Sequence, residues 1–395
     1  MQHSPLVTLP SILDNDFYKF TMQQCVVKLF PKAQARYQFI NRGKHVFPEG
    51  FAEALRASVD AMAGLKLTKE EKHYFAHTCP YMDPVYMDFL QGYCYDPEEV
   101  QIGQEGGELS IHIEGPWYRT ILWEVPLLAL VSELYYRLRG DQRRSDEEVA
   151  ETTRQKIEKY KALGITIAEF GTRRRHSFDV HRLVVDTLKI HGAPSFVGSS
   201  NVYMAMQSGT KPIGTHAHEW FMFHAAQYGF KMANILALEH WVDVYRGDLG
   251  IALSDTYTTD EFFEVFDKKF AKLFDGVRHD SGDPMEFADK TIAHYQSMGI
   301  DPLSKTIIFS DALNTEKVAL ITAHCRDRIG ISFGIGTNLT NDVGLKAMNI
   351  VIKMTEAHPE AQDWTPVVKL SDERGKYSGD TRMIALAKEV LSIKE

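Results

Sequence analysis

Short apolar runs recur through the second half of the chain, and each ends in a cluster of polar residues. The runs are ITIAEF, SFV, PIG, GIALS, GV, TIIFS, GISF and NIVIKM, and most of them precede a helical stretch. Strand-like runs that alternate with helices predict a (β/α) barrel or a doubly wound sheet. The gap between SFV and PIG is too short for a crossover helix, so we expect an irregular barrel. Chemistry in such barrels lies on loops at the carboxyl ends of the strands, where the polar clusters fall here.

The first 125 residues have a mixed pattern. ARYQFINRG is rich in strand formers, residues 51–63 and 68–77 have helical patterns, and VQIGQEGGELSIHIEG predicts two strands around a Gly-Gly turn. An apolar helix is predicted over 126–138. This N-terminal part of the chain therefore predicts an α+β unit rather than further barrel repeats.

A charged passage, RGDQRRSDEEVAETTRQKIEKYKAL, separates the two patterns. Within it, Ser145 and Glu148 form a capping box, which predicts the start of a solvent-facing helix. Later helix starts are predicted by Thr258 with Glu261 and by Asp283 before a proline. The predicted domains are an N-terminal α+β domain over 1–125, a helical connection over 126–160, and an irregular α/β barrel with the active site over 161–354.

Composition narrows the class of protein. The chain has 395 residues, more than the roughly 250–300 of a single core, and a net charge of −9, which argues against a general nucleic-acid binder. The four cysteines have no C-x-x-C spacing, and the N-terminus lacks the pattern of a signal peptide. The most apolar segment contains Glu124, Pro126 and Glu133, which favours a buried helix over a membrane span. We expect a cytoplasmic protein without a nucleic-acid or membrane partner.

Three strand-end clusters have residues that bind anions. GTRRR (171–175) offers forked arginine donors for phosphate or carboxylate, although a solvated charge run has an equal claim. VRHDSGDP contains a Ser-Gly-Asp turn able to form an anion nest, and a plain turn leaves its Arg278 and Asp280 without a role. FGIGTN resembles a phosphate-cradling glycine loop, but such glycines also serve tight turns. Its late position in the barrel pattern strengthens the phosphate interpretation.

Two aspartates, Asp255 in SDTYT and Asp311 in FSDALN, each follow a serine at the end of a strand. Both suit ribose hydroxyls or a phosphate-bound Mg²⁺, and both also suit ordinary acids at helix N-termini. The sequence alone leaves these two interpretations open.

THAHEW raises the question of a metal pair, because His216 and His218 are one residue apart after a strand. Zinc in barrel hydrolases takes imidazoles and a carboxylate. Further ligands are hard to find here, since only His279 lies in another strand-end loop. A histidine flanked by acids, as His218 is by Glu219, also suits a nucleophile or an acid–base group. The metal interpretation is the weaker one, and two structural imidazoles remain an alternative.

Taken in this order, the clusters resemble those of nicotinate phosphoribosyltransferases. The resemblance rests on DNDFYKFTMQ, GPW, ILWEVPLLALVSE, EFGTRRR, FVGSSN, GTHAHEWF, GIALSDTYT, GVRHDSGDP, IIFSDALN, SFGIGTNLTND and KLSD, which span nearly the whole chain. It implies transfer of the phosphoribosyl group of phosphoribosyl pyrophosphate (PRPP) to nicotinate, giving nicotinate mononucleotide and pyrophosphate for NAD biosynthesis. It also implies a homodimer with sites near the subunit interface, and a second α+β domain built from the N-terminal region and the C-terminal tail (355–395).

The resemblance also implies roles for individual residues. His218 would be a phosphohistidine that couples the reaction to ATP hydrolysis, with Asp255 and Thr256 as candidates to orient it, whereas His216 would be incidental. Arg278 would serve both catalysis and PRPP binding. The PRPP-binding residues would be Arg173, Arg278, Asp280, Ser281, Asp311, Gly334, Gly336 and Thr337. Phe170 and, from the other subunit, Tyr18 would sandwich the pyridine ring. Mg²⁺ would be bound through pyrophosphate rather than at a protein-only site.

Selection of nicotinate over nicotinamide is suggested by Ser200 and Asn201, since nicotinamide-using relatives carry an acid near this point. Glu169 replaces the aspartate that the family commonly has, a difference we expect to be tolerated. The alternatives are quinolinate phosphoribosyltransferase, a His-x-His metal-dependent barrel hydrolase and a non-catalytic phosphosugar-binding regulator.

Overall fold

The polar clusters of the sequence lie at one edge of a parallel sheet, in a computed structural model that describes residues 6–373 and 376–393. The strands in chain order are β1 (Gln34–Asn41), β2 (Val100–Glu105), β3 (Glu108–Pro116), β4 (Thr166–Glu169), β5 (Phe196–Ser199), β6 (Lys211–Pro212), β7 (Ile251–Leu253), β8 (Gly276–His279), β9 (Thr306–Phe309), β10 (Gly330–Ile335), β11 (Ile350–His358) and β12 (Thr365–Pro366).

The helices connect and cover these strands. They are α1 (Phe17–Leu29), α2 (Phe51–Ala61), α3 (Lys69–Thr78), α4 (Pro84–Gly92), α5 (Trp117–Thr120), α6 (Glu124–Arg139), α7 (Asp146–Leu163), α8 (Phe178–His191), α9 (Val202–Ser208), α10 (His218–Tyr228), α11 (Phe230–Tyr245), α12 (Thr259–Val265), α13 (Lys268–Leu273), α14 (Pro284–Ser297), α15 (Thr315–Cys325), α16 (Thr337–Thr340) and α17 (Thr381–Val390). Within the described ranges, no helix is long and apolar enough to cross a membrane.

Seven parallel strands form the barrel sheet in the order β6-β5-β4-β10-β9-β8-β7. Their buried residues, such as Ile167, Val277 and Phe333, come from the apolar runs that predicted them. No ladder joins β6 to β7 in the described part of the chain. Two side-chain hydrogen bonds bridge this seam instead: Thr215 Oγ1 donates to the Ile251 carbonyl at 2.8 Å, and the Leu253 N–H donates to His216 Nε2 at 3.1 Å. The expected irregular barrel is confirmed, and polar side chains close it.

The second sheet is antiparallel, in the order β12-β11-β1-β3-β2. The run NIVIKM, which we predicted as the last barrel strand, belongs to β11 and pairs with β1, so that prediction is wrong. Its alternation of buried Ile350, Ile352 and Met354 with less buried residues is typical of an antiparallel sheet that packs on one face. The predicted fold class, an irregular α/β barrel with a second α+β domain built from both ends of the chain, is confirmed.

Lys19 connects the two parts of the fold through a buried charge cluster. Its side chain is 0% exposed, and its ammonium lies 2.6 Å from Glu124 and 2.7 Å from Glu219. Glu124 also pairs with Arg173 at 3.3 Å. Burial alone would raise the pKa of the Glu124 carboxyl, but Lys19 and Arg173 outweigh burial and lower it. Two cations and two carboxylates therefore balance one another inside the protein.

Replacing Lys19 by methionine should destabilise the protein strongly, because two buried carboxylates would lose their shared cation. We expect the free energy of unfolding to fall by about 3–5 kcal/mol, the usual cost of breaking a buried ion pair. Urea unfolding measures this change. The matched control is Lys32→Met, whose side chain is 71% exposed beside Glu360 and whose loss should not shift the transition. Equal stability of wild type and Lys19→Met would contradict the role of the cluster.

Candidate active site

A cleft of about 460 Å³ lies at the carboxyl ends of the barrel strands. Loops after six of the seven strands contribute to its wall, and the segment before α1 covers one side. Its predicted residues are Tyr18, Phe170, Arg173, Ser200, Arg278, Asp280, Gly334, Gly336 and Thr337. Unpredicted neighbours include Asp16, Arg174, Gly214, Ser310 and Asp342. Most of the sequence-predicted clusters thus meet in one place.

The Phe170 ring and backbone pack directly against the glycine loop after β10. A Cβ atom at Gly334 would lie 2.4 Å from the Phe170 ring, and one at Gly336 would lie 3.3 Å from the Phe170 carbonyl oxygen. Glycine at 334 therefore permits the close approach of an aromatic ring, and this packing reason is independent of any anion binding by the loop. The ring forms part of the cleft wall in consequence.

Tyr18 reaches the cleft from the same chain, whereas the resemblance implied a tyrosine from the other subunit. The Phe17 N–H donates to the Ser200 carbonyl at 2.7 Å, which holds the start of α1 against the end of β5. A Cβ atom at Gly214 would lie only 3.3 Å from the Tyr18 nitrogen. Tyr18 and Phe170 of one chain therefore line the same cleft, and a contribution from a second subunit remains a prediction.

The neutral side chains of Ser200 and Asn201 suggested that no acid lies at this point of the site, but the structure places one there. The Ser200 hydroxyl donates to Asp16 at 2.8 Å, and Asp16 itself lines the cleft. An acid therefore lies near this point after all, supplied by the N-terminal segment, and burial raises the pKa of its carboxyl. Asn201 does not line the cleft: its amide donates to Asp14 at 2.7 Å, and its oxygen accepts from the Met204 N–H at 3.0 Å.

The three arginines of GTRRR have different surroundings. Arg175 is 1% exposed and pairs with Asp14 through two bonds of 2.7 and 2.8 Å, so it is structural. Arg173 and Arg174 line the cleft. Burial, together with the charges of Arg173 and Arg42, lowers the pKa of Arg174 to about 10. Such an uncompensated cation favours a bound anion, and Arg174 was missed in the sequence analysis.

Glu169 holds the loop that carries these residues. It is 0% exposed, and its carboxylate bonds to His181 Nε2 at 2.7 Å, to Ser199 Oγ at 2.5 Å and to the Gly171 N–H. Burial would raise the pKa of Glu169, but His181 and these hydrogen bonds lower it. The Glu169 carboxylate is thus hydrogen-bonded by residues of this chain. That glutamate is tolerated where the family commonly has aspartate remains a prediction.

Arg278 lies one residue before the end of β8, where the cleft meets the apolar interior of the barrel beside Phe170, Ile213 and Gly334. Among the described residues, no carboxylate forms an ion pair with its guanidinium, and its buried Nε has no hydrogen-bond partner. A buried donor without a partner costs free energy, so the site favours an anion or acceptor at this position.

His218 begins α10 next to this cleft rather than in its wall. Its Nδ1 lies 3.0 Å from the Thr256 hydroxyl, and its Nε2 lies 3.1 Å from Asp280 and 3.8 Å from Asp255. Burial and the charge of Lys369 lower the pKa of His218 and outweigh the two carboxylates. The imidazole is therefore neutral near pH 7, with one ring nitrogen free of a proton.

Asp280 joins the His218 cluster to the cleft, since one of its oxygens faces His218 and the other accepts from Ser310 at 2.8 Å. Behind it, Ser281 donates to the buried Asp255 at 2.5 Å. Asp311 lies beside the cleft residues Ser310 and Ala312 but does not line the cleft itself.

Lys369 is the residue of this cluster that sequence reasoning missed. Its ammonium lies 2.8 Å from His218 Nε2 and 3.3 Å from Asp255. Although burial would raise the pKa of Asp255, Lys369 and His218 lower it. KLSD was part of the resemblance, but nothing in that motif indicates that its lysine contacts a histidine 151 residues earlier.

The structure gives no support to a His-x-His metal pair. His216 is buried at the barrel seam, where its Nε2 accepts from Leu253 and its ring packs edge-on against Trp241 at 4.6 Å. It is a structural residue rather than an incidental one. Within the described ranges, one other group has metal-like spacing: His218, Asp255 and Asp280 offer ligand atoms within 4.8 Å of one another. The Lys369 ammonium contacts two of these three residues.

Two cleft arginines, Arg174 and Arg278, have no ion-pair partner among the described residues and lie at the strand ends of a parallel barrel, which is typical of α/β enzymes that act on anionic substrates. Two family models match it: the nicotinate phosphoribosyltransferase (NAPRTase) N-terminal domain over residues 13–132 and the nicotinate phosphoribosyltransferase (NAPRTase) family over residues 165–395. The chain belongs to the nicotinate phosphoribosyltransferase family.

Individual relatives are similar over nearly their whole length. A nicotinate phosphoribosyltransferase of Chromohalobacter salexigens is 66% identical over 385 residues, which cover 98% of this chain and 99% of the relative. The crystal structure of nicotinate phosphoribosyltransferase from Porphyromonas gingivalis superposes with a TM-score of 0.95 at 46% identity, covering 98% of this chain and 100% of that one. The Vibrio cholerae structure gives 0.92 at 35% identity, with coverages of 98% and 94%.

Proposed function

We propose that the protein transfers the phosphoribosyl group of PRPP to the ring nitrogen of nicotinate, forming nicotinate mononucleotide and pyrophosphate for NAD biosynthesis. The observation that carries the proposal is Arg278, a guanidinium without an ion-pair partner among the described residues, at the inner end of a cleft walled by Phe170 and Tyr18. Membership of the family and the names of the similar relatives support the same reaction.

The cleft suits a flat aromatic acid. Phe170 and Tyr18 offer ring faces for the pyridine, and Arg278 offers forked donors for its carboxylate. This assignment moves Arg278 from the PRPP role that the resemblance implied to the recognition of nicotinate. Asp16 beside Ser200 would repel a carboxylate placed on the opposite side, so the two charges together fix the orientation of the base.

PRPP would fill the rest of the cleft. Arg173 and Arg174 suit its pyrophosphate, the loop of Gly334, Gly336 and Thr337 suits its 5′-phosphate, and Asp311 lies at the edge where ribose hydroxyls would be. Displacement at the anomeric carbon passes through an oxocarbenium-like state, and the arginines stabilise the charge that develops on the leaving pyrophosphate.

Magnesium fits this site as a companion of pyrophosphate. The cleft carboxylates already have partners: Asp280 accepts from Ser310, and Asp342 pairs with Lys156 at 2.5 Å. Residues that hold pyrophosphate, chiefly Arg173 and Arg174, would hold the ion with it. Mg²⁺ neutralises charge on the leaving group when bound.

ATP is proposed as a co-substrate that phosphorylates His218. A neutral imidazole is the nucleophilic form, and the lowered pKa of His218 keeps it in that form. A phosphate on His218 would add negative charge beside Asp280 and so alter the cleft that Asp280 lines. The homodimer and the cytoplasmic location implied by the resemblance remain predictions.

Arg278→Gln tests recognition of the base. Loss of this cation should lower kcat/KM for nicotinate by about 10²-fold or more, the usual effect of removing a charged partner of a bound substrate. Steady-state formation of nicotinate mononucleotide measures it. Arg182→Gln, on the exposed face of α8 beside Asp179, is the matched control and should behave as wild type. An unchanged kcat/KM in Arg278→Gln would contradict the proposed role of Arg278 in binding nicotinate.

His218→Asn tests the coupling to ATP separately. The variant should form no acid-labile phosphoenzyme from γ-labelled ATP and should lose the stimulation of product formation by ATP. His73→Asn changes an exposed histidine of α3 and should retain both. Stimulation by ATP that persists in His218→Asn would leave the transferase reaction in place but contradict the phosphohistidine.

A further inference from the structure

Lys369 occupies the centre of the acidic cluster around His218. Its ammonium is 2.8 Å from His218 Nε2 and 3.3 Å from Asp255, and its side chain is only 12% exposed. It comes from the segment after β12, whereas His218, Asp255 and Asp280 follow barrel strands. The opposite end of the chain therefore places one cation at the residue proposed to carry phosphate.

Two contacts of Nε2 make opposite demands on His218. The Lys369 ammonium, at 2.8 Å, can only donate and requires a lone pair on Nε2, whereas the Asp280 carboxylate, 3.1 Å from the same nitrogen, can only accept. We assign the lone pair to Nε2 because the contact with Lys369 is the shorter one, and the ring proton then lies on Nδ1, which donates to the Thr256 hydroxyl at 3.0 Å. The Lys369 ammonium thus contacts His218 and Asp255, two of the three residues in the group with metal-like spacing.

We propose that Lys369 takes the place of a protein-bound metal ion and binds the γ-phosphoryl group of ATP as it is transferred to His218. The inference rests on the proposed phosphorylation of His218 and names the residue that stabilises it. A phosphoryl group carries negative charge on its oxygens, and charge-assisted N–H···O bonds are among the strongest available to it.

The transfer step balances without a further reactant. The lone pair of His218 attacks the γ-phosphorus, a nitrogen–phosphorus bond forms, and the bond from that phosphorus to the β–γ bridging oxygen breaks. ADP leaves with the electron pair, and the proton on the other ring nitrogen passes to solvent. Lys369 exchanges its bond to the imidazole for a bond to a phosphoryl oxygen, while Asp255 retains the ammonium near the site.

Lys369→Gln tests the proposal because glutamine keeps hydrogen-bond donors but removes the charge. We expect phosphoenzyme formation from γ-labelled ATP to slow by about 10²-fold or more, with a smaller change in the apparent KM for ATP. Lys272→Gln, an exposed lysine of α13, is the control and should label like wild type. If wild type itself forms no phosphoenzyme, the proposed coupling to ATP fails. If Lys369→Gln labels as fast as wild type, only the role of Lys369 fails.

A second measurement tests the proposal without ATP. Lys369→Ala should bind about one Mn²⁺ more tightly than wild type, detected by electron paramagnetic resonance, because the vacated cluster has three ligands and excess negative charge. Equal Mn²⁺ binding in both proteins would contradict the metal-replacing role. Should circular dichroism show that a variant is unfolded, ¹⁵N spectra of histidine-labelled wild type decide: an unprotonated Nε2 in His218 supports the contact with Lys369, and a protonated one overturns it.

Discussion

The buried ammonium of Lys19 is the contact on which the arrangement of the site depends. It lies between Glu124 and Glu219, and each of these carboxylates is next to a functional residue: Glu124 pairs with Arg173, and Glu219 follows His218 in the chain. A charge inside a protein is tolerated only with closely placed partners, so small displacements of these residues are costly. The cluster therefore fixes the positions of α1, α6 and α10 relative to one another. Because Tyr18 is next to Lys19 in α1, the same contacts position Tyr18 at the cleft.

Both ends of the chain complete a site that the barrel only begins. The N-terminal segment supplies Tyr18 and Asp16, and the C-terminal segment supplies Lys369. Asp280 lies between the two resulting regions, with one oxygen facing the cleft residue Ser310 and the other facing His218. Phosphorylation of His218, as proposed, would therefore reach the cleft through a single carboxylate, which would give the proposed ATP coupling a short physical route.

The strand-end clusters could be predicted because they depend on local chemistry and on a general property of parallel barrels. Arg278, Phe170 and the glycine loop line one cleft for that reason, whereas their binding roles remain predictions. The run at 349–354 was placed in the wrong sheet, because a short apolar run does not reveal which strand it pairs with. In the structure, buried positions of this strand alternate with partly buried ones, as in an antiparallel sheet that packs on one face.

Lys369, Asp16 and His216 show what sequence patterns cannot supply. Lys369 and Asp16 act through contacts with residues more than a hundred positions away, and neither lies in a cluster with its own chemical signature. His216 serves an unpaired N–H of β7, a need that exists only because β6 and β7 do not form a ladder. Such roles follow from the three-dimensional arrangement and become visible only there.

The central claim is that one cleft selects nicotinate and that His218 couples its reaction to ATP. The most direct measurement is product formation from PRPP and Mg²⁺ with nicotinate, nicotinamide or quinolinate, each with and without ATP. The account predicts mononucleotide from nicotinate alone, with a higher rate when ATP is present. Comparable product from nicotinamide or quinolinate, or no product from any of the three, would contradict it.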